Sequence, residues 1–396
     1  MNSLKISLFL ILSIVVIRSQ AQNVLIADNN HNAPTGDFVF PNIQEAVDAA
    51  EDGDIIQVQP SPVTYGGATI NKQITLMGIG FNVDKDIPLM SKMGNIVLTN
   101  NADNTSDADG TIIKGLWIAN IYIGSNTGAE YLLEDILIEN CQFNFIESYQ
   151  TATYSPIDGL EIIGCQITGQ APNGYSIRIV EHLTNAIFRN NIIYLGIGLF
   201  NGTPGSNIIA NNIMYEGIYI NAEGSNTTII NNNFIASMGG DAAFVTELQD
   251  CIVANNIFYG MTPSIANGGN STSGEFERNV FTNNLVYSTG DDVMPPAGGG
   301  AGNSGSGNIS GIDPEFVNSQ LLDTWSEDYD FTPQAAEVLN GGSDGTDIGI
   351  TGGSYPIADV NFFLKTSEVP VIQILNTSTV INPGDDLPVH IKVKSN

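Results

Sequence analysis

Ile208-Ile209-Ala210-Asn211-Asn212-Ile213-Met214 is one of five versions of a single phrase between residues 185 and 288. The others are Ile187-Phe188-Arg189-Asn190-Asn191-Ile192-Ile193, Ile229-Ile230-Asn231-Asn232-Asn233-Phe234-Ile235, Ile252-Val253-Ala254-Asn255-Asn256-Ile257-Phe258 and Val280-Phe281-Thr282-Asn283-Asn284-Leu285-Val286. Two apolar residues, a variable one, Asn-Asn and two more apolar residues make each copy. With the second Asn as marker, the copies fall at 191, 212, 233, 256 and 284, spaced by 21, 21, 23 and 28. A period of this length denotes a repeat architecture. Helical repeats would place apolar residues at i, i+3, i+4 and i+7. These short β-branched runs broken by Asn and Gly read instead as strands.

Short strands returning at that period describe coils of an all-β parallel β-helix, stacked at a strand spacing of about 4.8 Å. Asn tolerates the left-handed backbone of a corner better than most residues. Its amide can also donate to one neighbour in a stack and accept from the other, which satisfies polar groups inside the coil. These repeats resemble the right-handed parallel β-helix superfamily, the pectate-lyase-like fold with its inner asparagine ladder. The resemblance covers most of residues 24–350. It implies a right-handed solenoid and, in function, a secreted protein acting on polysaccharide.

Residues 1–21 read as a secretory signal peptide: Met1–Lys5, the apolar run Ile6–Ile17, then Ser19-Gln20-Ala21. A secreted or cell-surface protein is therefore expected, with no later segment long and apolar enough to span a bilayer. The formal charge is −30. Cleavage would remove Lys5 and Arg18 and no acid, giving about −32. That balance argues against nucleic-acid binding, because no basic stripe exists to displace counterions. It also repels polyanionic sugars unless Ca²⁺ bridges them, and it favours a soluble monomer.

Cys141 and Cys165 stand where Asn stands in the later coils, and Cys251 is the third cysteine. Stacked side chains point the same way, which suits buried thiols better than a disulfide, although a Cys141–Cys165 bridge stays open. With His31, His182 and His390 as the histidines, a zinc site is not expected.

Three domains follow: the signal peptide 1–21, the capped β-helix 22–355, and a β extension or linker 356–396. A helix opened by Pro41 and ended by Gly53 is expected to lid the N-terminal end, with Ile43, Ala46, Val47 and Ala50 on one face. Asp54–Val58 is expected as the first strand. The passage from Ile43 to Tyr65 resembles the helix-plus-first-coil entry of pectate-lyase-like proteins, with Pro62-Val63-Thr64-Tyr65 in place of the usual Pro-Gly-x-Tyr turn. The closing segment Asp313–Gly349 is expected to lid the last coil. Val389, Ile391 and Val393 alternate with His390, Lys392 and Lys394, as in a short strand.

The resemblance places sugar sites on the outer face of one sheet, walled by longer turns. The strands after each longer turn run through Tyr175–Ile179, Gly196–Phe200, Gly217–Asn221, Ala242–Thr246 and Pro263–Asn267. Period-two alternation turns Arg178, Gly198, Tyr219, Phe244 and Ile265 outward, with Phe200, Asn221, Thr246 and Asn267 beside them. A Tyr219–Phe244 pair suits the apolar face of a pyranose, and Asn221 and Thr246 suit its hydroxyls. Glu216, Asp241 and Glu247, on adjacent coils, are the candidate glycosidase carboxylates, which must lie about 5–9.5 Å apart. Arg178 is the candidate lyase base, a role that also needs a cation to neutralise the uronate. Asp103, Asp107 and Asp109 carry part of a calcium-loop pattern, but Thr105 and Leu116 occupy its first and last ligand positions. The alternative is a non-catalytic extracellular scaffold or adhesion protein, since one fold hosts many activities.

Overall fold

The computed structural model describes residues 22–31, 33–81, 89–101, 103, 105–124, 131–148, 156–172, 174–180, 182–200, 205–221, 226–236, 243–244, 248–263, 277–289, 293–295, 302–319, 325–326, 328–357, 371–377 and 389–394. Residues 1–21, expected as a signal peptide, lie outside them.

The chain forms a parallel β-solenoid with three parallel sheets and one short helix near the N-terminus. In the first sheet, from Ile55–Val58 to Ser304–Ser306, spatial order follows sequence order. Each coil therefore lies on the one before it. Its strands are mostly three residues long, and the middle one (Ile113, Ile138, Ile162, Phe188, Ile209, Ile229, Val253, Phe281) is buried in the core.

Residues with φ > 0 bracket these strands. Asn140, Asn190, Asn211, Asn231, Asn255 and Asn283 follow them, with φ between 51° and 56°. Asp135, Asn185, Asn226, Asp250 and Arg278 precede them. The first Asn of each pair thus turns the corner, and the second one builds the ladder. Asn191, Asn212, Asn232, Asn256, Asn284 and Asn308 stack in register, each Oδ1 accepting from the previous Nδ2 at 2.9–3.0 Å.

The third rung is Asn232, not Asn233. Register pairs Ile213 with Asn233, so the coil is one residue shorter than the marker spacing implied. Three consecutive asparagines concealed the slip. Below Asn191 the ladder continues with thiols. Cys165 Sγ donates to Ile138 O and Ile163 O at 3.5 and 3.4 Å. These are the carbonyls that an Asn amide reaches in later coils, as Asn256 does with Ile229 O and Ala254 O. All three cysteines are free and buried, and burial pushes the Cys165 thiol up, which keeps it protonated.

A second inner stack stands at the other end of the same strands. Asn207 Oδ1 accepts from Ala186 N at 3.0 Å, Asn279 Oδ1 from Cys251 N at 3.0 Å, and Asn303 Oδ1 from Asn279 Nδ2 at 3.1 Å.

The N-terminal end differs from expectation. Val24–Ala27 already pairs in parallel with Ile55–Val58 and with Val39–Phe40, so the solenoid starts before residue 54. The helix spans Ile43–Ala49, capped by Asn42, whose Oδ1 accepts from Glu45 N at 2.9 Å. Pro41 therefore precedes the cap rather than opening the first turn. Ile43, Ala46 and Val47 close the core, as a solenoid end requires. Tyr65 ties this cap down: its hydroxyl donates to the Ala27 and Gln59 carbonyls, both at 3.0 Å.

The described residues of the closing segment run back along the outside of the coils, towards the N-terminus, across five corner asparagines. Asn283 Nδ2 donates to Gly341 O at 2.9 Å, and Asn255 Oδ1 accepts from Ser343 N at 2.8 Å. Asn231 Nδ2 donates to Asp347 O and Gly349 O, Asn211 Nδ2 to Ile350 O and Gly352 O, and Asn190 Nδ2 to Tyr355 O. Under this strap, Val338, Ile348, Ile350 and Ile357 bury the outward side chains Ile192, Ile213, Ile257 and Leu285 of a second sheet.

In the C-terminal extension, Val371–Thr377 and Val389–Lys394 pair antiparallel.

Candidate functional site

The sheet through Ile96–Leu98, Trp117–Ile123, Gln142–Ser148, Ile177–Ile179, Ile197–Phe200 and Ile218–Asn221 carries the expected site. Register puts Val97, Tyr122, Glu147, Arg178, Gly198 and Tyr219 in one row. Their neighbours in the chain, such as Ile177, Ile179, Ile197, Ile218 and Ile220, fill the core, so the row faces outward.

Gly198 decides what this face looks like. A Cβ there would come within 2.6 Å of the Phe200 ring and 2.9 Å of the Tyr175 ring. Its absence lets both rings lie over the strand. Phe200 and Tyr219 sit 4.8 Å apart between centroids, tilted by 34°. Tyr175 joins them at 5.5 Å from Phe200 and 5.9 Å from Tyr219. All three rings are half-buried. The Tyr175 hydroxyl is pushed above its usual range by burial and then by Tyr219 and the Glu216 carboxylate.

Arg178 lies under this platform rather than on it. Its Nη1 meets Glu147 Oε1 at 2.6 Å, and the two side chains are 7% and 12% exposed. The Phe200 ring covers the guanidinium at 5.3 Å, while Nε is buried without a hydrogen-bond partner. A guanidinium tied to a carboxylate and roofed by a ring is shielded from anything lying on the rings.

Phe244 corrects the expected pair. It bridges Ile218, not Tyr219, which flips it to the inner side. It is fully buried among Phe234, Phe258 and Phe281. The aromatic partners of Tyr219 are Phe200 and Tyr175, both in the sequence beside strands that the alternation rule had already placed on this sheet. Glu216 is exposed at the turn before Gly217. Asn221 ends its strand in register with Phe200. Asp241, Thr246 and Glu247 lie outside the described residues, as do Ile265 and Asn267.

The aspartates of the calcium-like loop are occupied with one another's backbone and with neighbouring side chains. Asp103 Oδ1 accepts from Thr105 Oγ1 at 2.9 Å, Asp107 Oδ1 from Asp109 N at 3.0 Å, and Asp109 Oδ1 from Glu134 N at 2.8 Å. The Tyr131 hydroxyl donates to Asp107 Oδ2. Among the described residues, no group of three His, Cys, Asp or Glu is gathered that fits a metal ion. Asp109 is pushed up to about 6, by burial first and then by Asp107, Glu134 and Asp135. No helix among the described residues is long and apolar enough to cross a membrane. No protein-family model matches the chain, and none of the curated proteins is similar to it in sequence.

Proposed function

We propose that this chain is a secreted or cell-surface protein that holds a polysaccharide on the outer face of the Ile177–Asn221 sheet, on a right-handed solenoid of the pectate-lyase-like kind. The observation that carries this reading is the Tyr175–Phe200–Tyr219 cluster laid over Gly198. Half-buried aromatic rings on a rigid sheet suit the apolar face of a sugar, and Glu216 at the edge suits its hydroxyls. Binding is favoured over cleavage. The Arg178 charge is spent on Glu147 beneath the rings, so among the described residues of this row no Arg or Lys is left to act as a base.

The scaffold reading has its own support in the two inner ladders and the strap, which stiffen the coil without reference to any ligand. A glycan array with the mature protein separates the two. Phe200→Ala and Tyr219→Ala are each expected to weaken binding about tenfold, the equivalent of one good aromatic contact. No binding by the parent, or variants that both bind as tightly as the parent, would leave the scaffold. Release of an unsaturated, ultraviolet-absorbing product would instead establish a lyase.

A further inference from the structure

The outward row does not end at the aromatic cluster. Two strands N-terminal to Arg178, Tyr122 stands in the same row and meets Phe145 edge-on, with centroids 5.7 Å apart at 85°. Tyr122 is half-buried. Beside it three amides run along the axis: Asn120 Nδ2 donates to Asn95 Oδ1 at 2.9 Å, and Asn144 Nδ2 donates to Asn120 Oδ1 at 3.4 Å. Between Tyr122 and the Tyr175–Phe200–Tyr219 cluster lies the neutralised Glu147–Arg178 pair.

We propose that this row is one extended subsite array, in which Tyr122 and the Asn95–Asn120–Asn144 amides hold a second part of the same sugar chain, and that the chain is uncharged. The inference rests on the carbohydrate reading above. From Tyr122 to Tyr219 the row crosses four strand steps of about 4.8 Å. One step is close to the length of one pyranose residue, so a chain laid along the axis reaches both aromatic patches with about four residues. Amides donate and accept at once, which suits sugar hydroxyls.

Charge selects against uronates. Between residues 95 and 277 the sequence has eighteen Asp and Glu but only Lys114, Arg178 and Arg189 as Lys or Arg. Lys114 belongs to the first sheet, and Lys92, just before this stretch, lies against the Trp117 ring, 5.5 Å from its centroid. Arg178 is paired and covered. Arg189 belongs to the first sheet and lies against Tyr355 of the strap, its guanidinium 4.8 Å from the ring centroid. A carboxylated chain along this row would meet a negative field with no available basic side chain from this stretch on the same sheet to offset it.

The test is calorimetric titration of the full chain with neutral gluco-, manno- and xylo-oligosaccharides of two to six units, and with oligogalacturonates of the same lengths. For a neutral series that binds, affinity is expected to rise about tenfold from the disaccharide to the tetrasaccharide and then level off. Tyr122→Ala should remove most of that rise and leave disaccharide affinity within about twofold, whereas Tyr219→Ala weakens both. Oligogalacturonates should bind more weakly than neutral chains at about 20 mM salt, with the gap narrowing as salt screens the field. Affinity flat beyond two units, a tetrasaccharide indifferent to Tyr122→Ala, or tighter binding of the uronates would overturn the inference while leaving a sugar site at Tyr219. Silence from every sugar would remove the carbohydrate reading itself.

Discussion

Asn256 is the rung on which the ladder argument can be broken. Its amide makes five hydrogen bonds and is fully buried: Nδ2 donates to Ile229 O, Ala254 O and Asn284 Oδ1, and Oδ1 accepts from Asn232 N and Nδ2. In Asn256→Ala the Asn232 backbone N–H loses its acceptor inside the coil, at about 1–3 kcal/mol. Two carbonyls lose a donor, and a small cavity adds about 1 kcal/mol more. The sum is about 3–5 kcal/mol, large for one polar side chain. Asn308, the last rung, makes the same kind of bonds to Asn284 and Phe281 but is only half-buried. Water can replace its partners, so Asn308→Ala should cost about 1–2 kcal/mol. Asn256→Cys should fall between Asn256→Ala and the parent, because a thiol keeps the donor role that Cys165 plays but offers Asn232 N–H no good acceptor. Urea unfolding followed by far-ultraviolet circular dichroism at 25 °C gives the three midpoints. Native-state hydrogen exchange at Asn232 N–H shows whether the loss is local. If Asn256→Ala costs no more than Asn308→Ala, the inner amides do not hold the coil and the reasoning is refuted.

Three other outcomes follow from the same geometry. Glu147→Ala leaves Arg178 charged and buried without its partner, and chemical denaturation should show a loss of about 3–5 kcal/mol, much of it recovered in Glu147→Leu/Arg178→Met. Asp109 binds its proton more tightly folded than unfolded, so its contribution is fully present below pH 4 and is lost as pH rises towards 6. Asp109→Asn keeps the acceptor for Glu134 N–H and should raise the melting temperature at pH 7 by about 2–4 °C, with no gain at pH 4 in a calorimetric series. Gly349 has φ +86°, and a Cβ there would collide with Asn233 Oδ1. Gly349→Ala should therefore loosen the strap, giving earlier cleavage within 338–357 under limited proteolysis while the sheets keep their circular dichroism.

The fold was legible because one corner repeats one chemistry. A left-handed residue followed by an inward amide leaves the same two letters in each coil from 190 to 284. The second inner stack was not legible, because Ala186, Asn207, Cys251 and Asn279 share a position without sharing a residue type. The platform was half legible. Alternation within a strand placed Arg178, Gly198 and Tyr219 correctly in one row. It failed at Phe244, which bridges Ile218 rather than Tyr219, and a shift of one residue reverses the side chain. That Arg178 would be covered was invisible, because it follows from the missing side chain of Gly198 two residues from Phe200. The strap escaped because its carbonyl groups are the same in every residue. Asn is what picks them out, and those asparagines already had one evident task at the corners.

That strap has a mechanical meaning. Coils held only by their neighbours can shear or fray one at a time from a free end. Here a single thread is knotted to Asn283, Asn255, Asn231, Asn211 and Asn190 in succession. Pulling any two of these rungs apart loads the same backbone, so tension spreads along the whole span before one coil can yield. The flank that carries it acts as a backstay, and under force the molecule should give way first where that cord ends, among the turns before Asn190.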